Sequence, residues 1–304
     1  MKWKRGKRSG DLEDRRASSG GGGLGFPGMG GGGFPIPIGR GGGGIGTILI
    51  LLVVYFVFIK GCGDGSSGFD VPAPPSAQAP AQGSGDGSVP QASDPEDKLV
   101  DFVDFVFADV NDFWQQQLGA DYQRAKLVLF RGQVNSGCGQ ATSATGPFYC
   151  PLDQKAYVDL AFFEELNRRF EAPGDFAQAY VLAHELGHHV QQELGIEQEV
   201  RDRSQANPDD ANELSVRLEL QADCLSGVWA HSVYERGMLE SGDLEEGLGA
   251  ASAVGDDRIQ EQAGGSIDPE SFTHGTAEQR SKWLNAGFEA GEQGSCDTFA
   301  VDEP

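Results

Sequence analysis

Residues 175–195 read DFAQAYVLAHELGHHVQQELG, a stretch that predicts one helix and, on that helix, a metal site. Asp175 can cap the start of the helix, and Gly195 lies just beyond its predicted end. His184 and His188 are four residues apart, so both imidazoles lie on one helical face and can reach the same ion. Neutral imidazole is a suitable ligand for zinc.

The residues beside these two histidines have different predicted roles. Glu185 adjoins His184 and is placed to take a proton from the attacking water rather than to bind the metal. His189 is turned about 100° away from His188 around the helix, so we expect it to pack or to support a ligand. The competing interpretation of the whole motif is a surface helix whose two histidines face solvent.

A third metal ligand is expected on the next long helix, which carries RLELQADC at residues 217–224. Glu219 and Asp223 are four residues apart beside an apolar stripe, and acids that close to such a stripe need partners if they are buried. Glu219 would suit the metal, and Asp223 would then accept the free ring N–H of a ligand histidine. The alternative is an acidic face that contacts solvent.

The other predicted elements place strands early in the folded part and helices later, which is typical of the α+β class. Strands are predicted at residues 126–130, 148–150 and 156–160. Further helices are predicted at residues 95–118, 162–170, 209–236, 243–262 and 276–287.

Four of the five cysteines fall in the part that is expected to fold outside the cytoplasm. An even number in that setting predicts two disulfides. Cys138 and Cys150 would close a short loop and are the preferred first pair, which leaves Cys224 with Cys296. Free buried thiols are the alternative.

The first 92 residues divide into three segments by composition. Residues 1–44 hold eight basic and three acidic side chains and a glycine-rich run, and they are predicted to form a disordered cytoplasmic head. Residues 45–62 include the uncharged run IGTILILLVVYFVFI and are predicted to be a transmembrane signal anchor. Residues 63–92 are predicted to be a flexible linker. A cleaved signal peptide, a lipidation site or a core helix are the alternatives for the apolar run.

These segments predict a single-pass membrane protein whose domain, residues 93–300, lies outside the cytoplasm. The net charge of −23 over 304 residues is unevenly distributed, because 14 basic and 43 acidic residues follow residue 60. A domain this acidic argues against a nucleic-acid-binding protein, which would need a basic face.

Four separated motifs resemble one known family. They are SGCGQATSATGPFYCP at 136–151, HELGHH at 184–189, LELQADC at 218–224 and THGTAEQR at 273–280. In this order they are similar to the YpfJ-type neutral zinc metallopeptidases, a bacterial membrane-anchored family. The resemblance implies a zincin-like domain that binds Zn²⁺, with Glu219 as the third ligand and Asp223 as the orienting acid. More distantly, the chain is similar to gluzincin peptidases of the prenyl-protein protease type.

That distant group also carries Thr-His-Pro with an arginine six residues after the histidine. This chain has Thr273, His274 and Gly275, followed by Arg280. The resemblance implies that His274 steadies the oxyanion of the reaction, although Gly275 stands where the group has proline. The other interpretation is that His274 caps the helix that begins near Thr276.

The sequence therefore predicts a membrane-anchored zinc endopeptidase that acts on proteins or peptides. His184, His188 and Glu219 would bind zinc, while Glu185 would act as the general base. One alternative is a tethered module with a structural zinc, a kind of site that normally closes with four protein ligands. Another is hydrolysis of a cell-wall link.

Overall fold

A computed structural model of the chain describes residues 1–4, 6–17, 95–168 and 170–304. The strands in this part are β1 (Leu12–Asp14), β2 (Lys126–Phe130), β3 (Gln133–Ser136), β4 (Gly139–Thr142), β5 (Phe148–Cys150) and β6 (Lys155–Asp159). The α-helices are α1 (Pro95–Leu118), α2 (Ala161–Arg168), α3 (Asp175–Glu193), α4 (Ile196–Ala206), α5 (Ala211–Glu235), α6 (Asp243–Ala253), α7 (Asp256–Gln262) and α8 (Ala277–Ala290).

The strands form one four-stranded sheet and one separate hairpin. The sheet has the order β1-β2-β6-β5, in which β1, β2 and β6 are parallel and β5 is antiparallel to β6. The hairpin consists of β3 and β4. Helices make up most of the remaining described chain, so the α+β prediction is confirmed.

Helix α3 runs through the core, and its sequence explains why it can do so. Leu182 and Leu186 are fully buried, and burial of a leucine side chain contributes about 1.5–3 kcal/mol. Gly187 lies against α5, where an added Cβ would sit 3.0 Å from the backbone of Ala222. The glycine therefore permits the close approach of α3 and α5 that the site requires.

Helices α5 and α8 are also in close contact, and a disulfide joins α5 to the C-terminal residues. A Cβ at Gly287 of α8 would lie 1.9 Å from the carbonyl oxygen of Cys224, so only glycine fits there. Cys224 is bonded to Cys296, and Cys138 is bonded to Cys150. Both predicted pairings are confirmed.

The N-terminal residues differ from the prediction of a disordered head over residues 1–44. Residues 12–14 form β1, and Met1 is 4% exposed within the main hydrophobic core. The glycine-rich run dominates the composition of residues 1–44, but the first seventeen residues have enough partners in the domain to fold against it. The predicted anchor at 45–62 and the predicted linker at 63–92 lie outside the described residues.

The pairing of β1 with β2 contradicts the predicted single-pass membrane localisation. None of the helices described here combines the length and apolar character that a membrane crossing needs. Moreover, β1 precedes the predicted anchor and β2 follows it, yet Leu12 pairs with Leu127 and Asp14 pairs with Leu129. Hydrogen-bonded strands lie on the same side of a membrane. The prediction of a cytoplasmic N-terminus and an extracytoplasmic domain in one single-pass chain is therefore wrong.

Candidate metal centre

Three side chains from two helices meet at one point. His184 and His188 project from α3 with their ring centroids 4.8 Å apart, and Glu219 projects from α5. A carboxylate oxygen of Glu219 lies 3.1 Å from Nε2 of His184, and the other lies 3.6 Å from Nε2 of His188. One donor atom from each residue lies within 4.8 Å of the other two. The structure thus brings together the three residues predicted to bind the metal.

The outer nitrogen of each imidazole is held by a polar partner. Nδ1 of His184 lies 2.8 Å from Asp223, and Nδ1 of His188 lies 2.9 Å from the side-chain oxygen of Gln191. An acceptor at Nδ1 holds the ring proton there and leaves the Nε2 lone pair free. Both rings are therefore oriented to bind a metal through Nε2, the atom that faces Glu219. Two imidazoles and one carboxylate are a donor set found in catalytic zinc sites.

Asp223 organises the buried polar groups behind His184. Its carboxylate is fully buried and accepts hydrogen bonds from the Tyr180 hydroxyl at 2.5 Å and from Nε of Arg280 at 2.8 Å. Burial opposes ionisation of Asp223, but Arg280 and His184 outweigh it and hold the pKa of Asp223 below its usual value. The orienting role of Asp223 stays a prediction, and the carboxylate lies where that role requires it.

Glu185 follows His184 on α3 and is only 7% exposed. Burial raises the pKa of its carboxyl to about 7, and the negative charge of Glu219 acts in the same direction, whereas His184 and Arg280 act against it. A general acid–base works best when its pKa is close to the working pH. The environment of Glu185 therefore suits a group that takes and returns a proton near neutral pH.

His274 lies on the loop before α8, and its charge acts on Glu219 of the centre. Burial would raise the pKa of Glu219, but His188 and His274 hold it well below its usual value. Asp256 at the start of α7 fixes this loop, because one of its oxygens accepts the backbone N–H groups of Thr273 and His274 at 2.7 and 2.6 Å. Its other oxygen lies 3.1 Å from Nδ1 of His274. Nε2 is the ring atom left for another partner.

Two details of this loop differ from the alternatives that the sequence left open. Helix α8 is capped by Thr276, whose hydroxyl accepts the Gln279 N–H at 3.1 Å, so His274 is not the cap. Gly275 has φ +88°, a left-handed conformation that proline, with φ near −65°, cannot adopt. The glycine therefore produces a turn of its own rather than imitating Thr-His-Pro.

His189 is turned away from the centre, as its position on the helix predicts. Its Nε2 contacts the carbonyl oxygen of Gln123, and its Nδ1 lies 2.9 Å from the Tyr149 hydroxyl. Burial lowers the pKa of His189. Because Tyr149 belongs to β5, the contact joins the edge of the sheet to α3, and His189 has a supporting role.

The predictions from the sequence include no role for Tyr180, Gln191 or Asp256 and no contact between Arg280 and Asp223. Tyr180 precedes His184 by four residues and Gln191 follows His188 by three, so helical spacing alone could have revealed both. The contact of Asp256 with His274 depends on how α7 meets the loop before α8. No local pattern encodes it.

Comparison with known proteins agrees with this geometry. The sequence model of the family described as "Putative neutral zinc metallopeptidase" matches residues 1–299. The chain belongs to the neutral zinc metallopeptidase family. The resemblance to its YpfJ-type members is confirmed by the relatives that follow.

Two relatives illustrate the extent of the similarity. "Uncharacterized protein YpfJ" of Escherichia coli (strain K12) is 50% identical over 216 residues, which are 70% of this chain and 75% of that protein. "Uncharacterized protein Rv2575" of Mycobacterium tuberculosis (strain ATCC 25618 / H37Rv) is 46% identical over 191 residues, which are 59% of this chain and 64% of that protein. No solved structure matches the chain.

Proposed function

We propose that this member of the neutral zinc metallopeptidase family is an endopeptidase in which Glu185 is the general base. The observation that carries the proposal is the three-donor centre of His184, His188 and Glu219 with the buried Glu185 beside it. A protein or an extended peptide is the proposed substrate.

The number of donors supports a catalytic site over a structural one. A structural zinc site normally has four protein ligands, whereas a catalytic site has three and keeps one position open. Asp223 is the nearby acid that would have to be the fourth ligand. Its oxygens instead accept hydrogen bonds from Tyr180 and Arg280, and it is fully buried behind His184.

The proposed chemistry divides between the metal and the side chains. Zinc held by His184, His188 and Glu219 would act as a Lewis acid toward the peptide carbonyl and the attacking water. The Glu185 carboxylate takes one proton from that water and later returns it to the nitrogen of the leaving amine. The low exposure of Glu185 supports this role, since a buried carboxylate holds its proton more readily than a solvated one.

His274 is proposed to stabilise the oxyanion that develops on the carbonyl oxygen. Asp256 accepts from Nδ1 of His274, so Nε2 can donate a hydrogen bond to the oxyanion only when the ring is the imidazolium. Burial lowers the pKa of His274, but Glu219 and Asp256 outweigh it and raise that pKa above its usual value, which favours the imidazolium. The charge of His274 acts on both Glu219 and Glu185, which supports its placement at the same centre.

The test is Glu185→Gln in the full-length protein, assayed on an unstructured protein substrate with and without chelator. We expect hydrolysis to fall by at least about a thousandfold, because the proton acceptor is lost, while the bound zinc measured by elemental analysis stays at the level of the parent protein.

Glu193→Gln, at the far end of the same helix, is the matched control and should keep the parent activity. If Glu185→Gln cleaves the substrate as fast as the parent, the proposed mechanism fails. Cleavage of peptidoglycan in place of protein would instead identify a cell-wall amide as the substrate.

A further inference from the structure

The first seventeen residues cover the outer edge of the sheet. The backbone N–H of Leu127 donates to the carbonyl oxygen of Asp11 at 2.8 Å, and the N–H of Arg15 donates to the carbonyl oxygen of Leu129 at 2.8 Å. Residues 127–130 of β2 are at most 1% exposed. Without β1, the edge of this apolar strand would be open to pairing with other chains, which folded proteins avoid.

The acidic residues of β1 and of the position before it contact basic side chains of β2, of β6 and of the residues just before β2. Asp11 is only 5% exposed, and its carboxylate lies 2.5 Å from Nη2 of Arg124 and 3.3 Å from Nζ of Lys126. Glu13 lies 2.6 Å from Nζ of Lys155. A buried carboxylate needs such partners, so the domain provides a matched site for this strand.

The polar and basic residues on either side of β1 meet acids of α1. Nε of Arg8 lies 3.0 Å from Asp101, and the Ser9 hydroxyl donates to Asp104 at 2.5 Å. On the other side of β1, Arg16 forms an ion pair with Glu96 near the start of α1. The segment and its site are therefore complementary in charge along their length.

Apolar contacts hold the beginning of the segment. The ring of Trp3 packs on Phe102 and Phe105 of α1, with centroids 5.4 and 6.1 Å apart. The backbone N–H of Lys2 donates to the carbonyl oxygen of Met238 at 2.7 Å. The family match begins at residue 1, so this segment belongs to the part of the chain that the family shares.

Arg16 and Glu96, which lie on either side of residues 18–94 in the sequence, are in contact. All contacts described above lie within residues 1–17 and 95–304. We propose that residues 1–17 occupy a peptide-binding site on the domain and stay bound after residues 18–94 are cut. The site would take a short peptide that has an aromatic residue near its N-terminus, acidic residues in a strand parallel to β2, and basic residues on either side of that strand. Its occupant is this chain's own N-terminal segment.

The experiment places a site-specific protease recognition sequence after Ala77 in the full-length protein. After complete cleavage, verified on a denaturing gel, the two fragments are passed over a gel-filtration column in mild detergent at 0.15 M salt. We expect residues 1–77 to elute with the domain. If residues 1–77 of the cleaved parent protein elute apart from the domain fragment, the proposal is wrong.

Two matched variants distinguish specific binding of residues 1–17 from nonspecific apolar association of residues 45–62, which belong to the same fragment. Asp11→Ala removes the carboxylate that pairs with Arg124, and it should raise the dissociation constant of the cut complex at least about tenfold. Asp14→Ala lies in the same strand, but the pairs of Asp14 are with Arg8 and Arg16 of the segment itself, so it should have little effect.

Circular dichroism of the uncut variants shows whether each one folds. If Asp11→Ala does not, Glu13→Ala removes the contact with Lys155 and gives the same comparison. The dissociation constant of the cut complex is compared between Asp14→Ala and whichever of Asp11→Ala and Glu13→Ala folds. Equal values would show that the segment is held by something other than this site.

Discussion

At the scale of single residues, the ion pair between Asp223 and Arg280 supports the centre. Both residues are at most 3% exposed, and two guanidinium nitrogens of Arg280 lie 2.8 and 3.0 Å from the carboxylate. Removing one partner of a buried pair leaves an uncompensated charge, which costs more than the pair itself contributes. His184 depends on the same carboxylate, so the pair affects stability and the site together.

The first prediction is that Arg280→Met lowers the free energy of unfolding by about 3–5 kcal/mol, measured by urea denaturation. Arg258→Met is the matched control, because Arg258 forms an exposed pair with Glu261 at 3.5 Å and such pairs contribute at most about 1 kcal/mol. If the two variants lose the same free energy of unfolding, the buried pair contributes no more to stability than the exposed one.

Asp256 gives a prediction about pH. Burial opposes its ionisation, but the His274 ring and the backbone N–H groups of Thr273 and His274 hold its pKa below the usual value. A carboxyl with a lowered pKa in the folded state contributes stability above about pH 4, and that contribution is lost as pH falls through the lowered pKa.

We therefore expect Asp256→Asn to flatten the dependence of unfolding free energy on pH from about pH 5 down to about pH 2, the range that includes the ordinary pKa of aspartate and values below it. The measurement is a series of urea titrations across that range for the parent and the variant. The control is Asp257→Asn, since Asp257 accepts the backbone N–H of Ala277 instead. A slope for Asp256→Asn as steep as that of the parent contradicts the assigned role.

At the scale of elements, the centre depends on the distance between α3 and α5. Gly187 allows their backbones to approach, and this approach brings Glu219 to the two histidines of α3. Since backbone atoms of Ala222 line the space, a side chain at position 187 would have to push the helices apart.

We predict that Gly187→Ala weakens zinc binding by at least about tenfold and lowers the free energy of unfolding by about 1–3 kcal/mol. Competition with a chromophoric chelator measures the first effect and urea denaturation the second. Gly249→Ala in α6 is the control, because its Cβ would meet open space and the change should stabilise the helix by about 0.5–1 kcal/mol. Unchanged zinc affinity in Gly187→Ala would contradict the argument.

At the scale of the whole molecule, the two disulfides close loops of different length. Cys138–Cys150 spans 12 residues, whereas Cys224–Cys296 spans 72 and attaches the C-terminal residues to α5. Arg217 strengthens that attachment by donating to the carbonyl oxygens of Thr298 and Val301 at 2.6 and 2.7 Å.

Loop-closure entropy predicts that the long bridge contributes about 4 kcal/mol and the short one about 3 kcal/mol. The double variant Cys224→Ser with Cys296→Ser should therefore unfold at a lower urea concentration than Cys138→Ser with Cys150→Ser. A larger loss from the short bridge would show that local packing, not loop length, sets the contribution.

The sequence by itself determined the features that depend on short spacing along the chain. His184 and His188 share a face because residues four apart do so in any α-helix. The same rule placed Glu219 and Asp223 together, and loop length favoured the disulfide pairs that form. The α+β class followed from the order of strand and helix patterns.

Only the tertiary structure decided how distant segments meet. Arg280 reaches Asp223 across 57 residues, and Asp256 reaches His274 because α7 packs beside the loop before α8. Likewise, residues 12–14 are too short to predict as a strand, since a three-residue strand gains its stability from the neighbour that it pairs with. Such contacts arise from the packing of the whole chain, so no local pattern could reveal them.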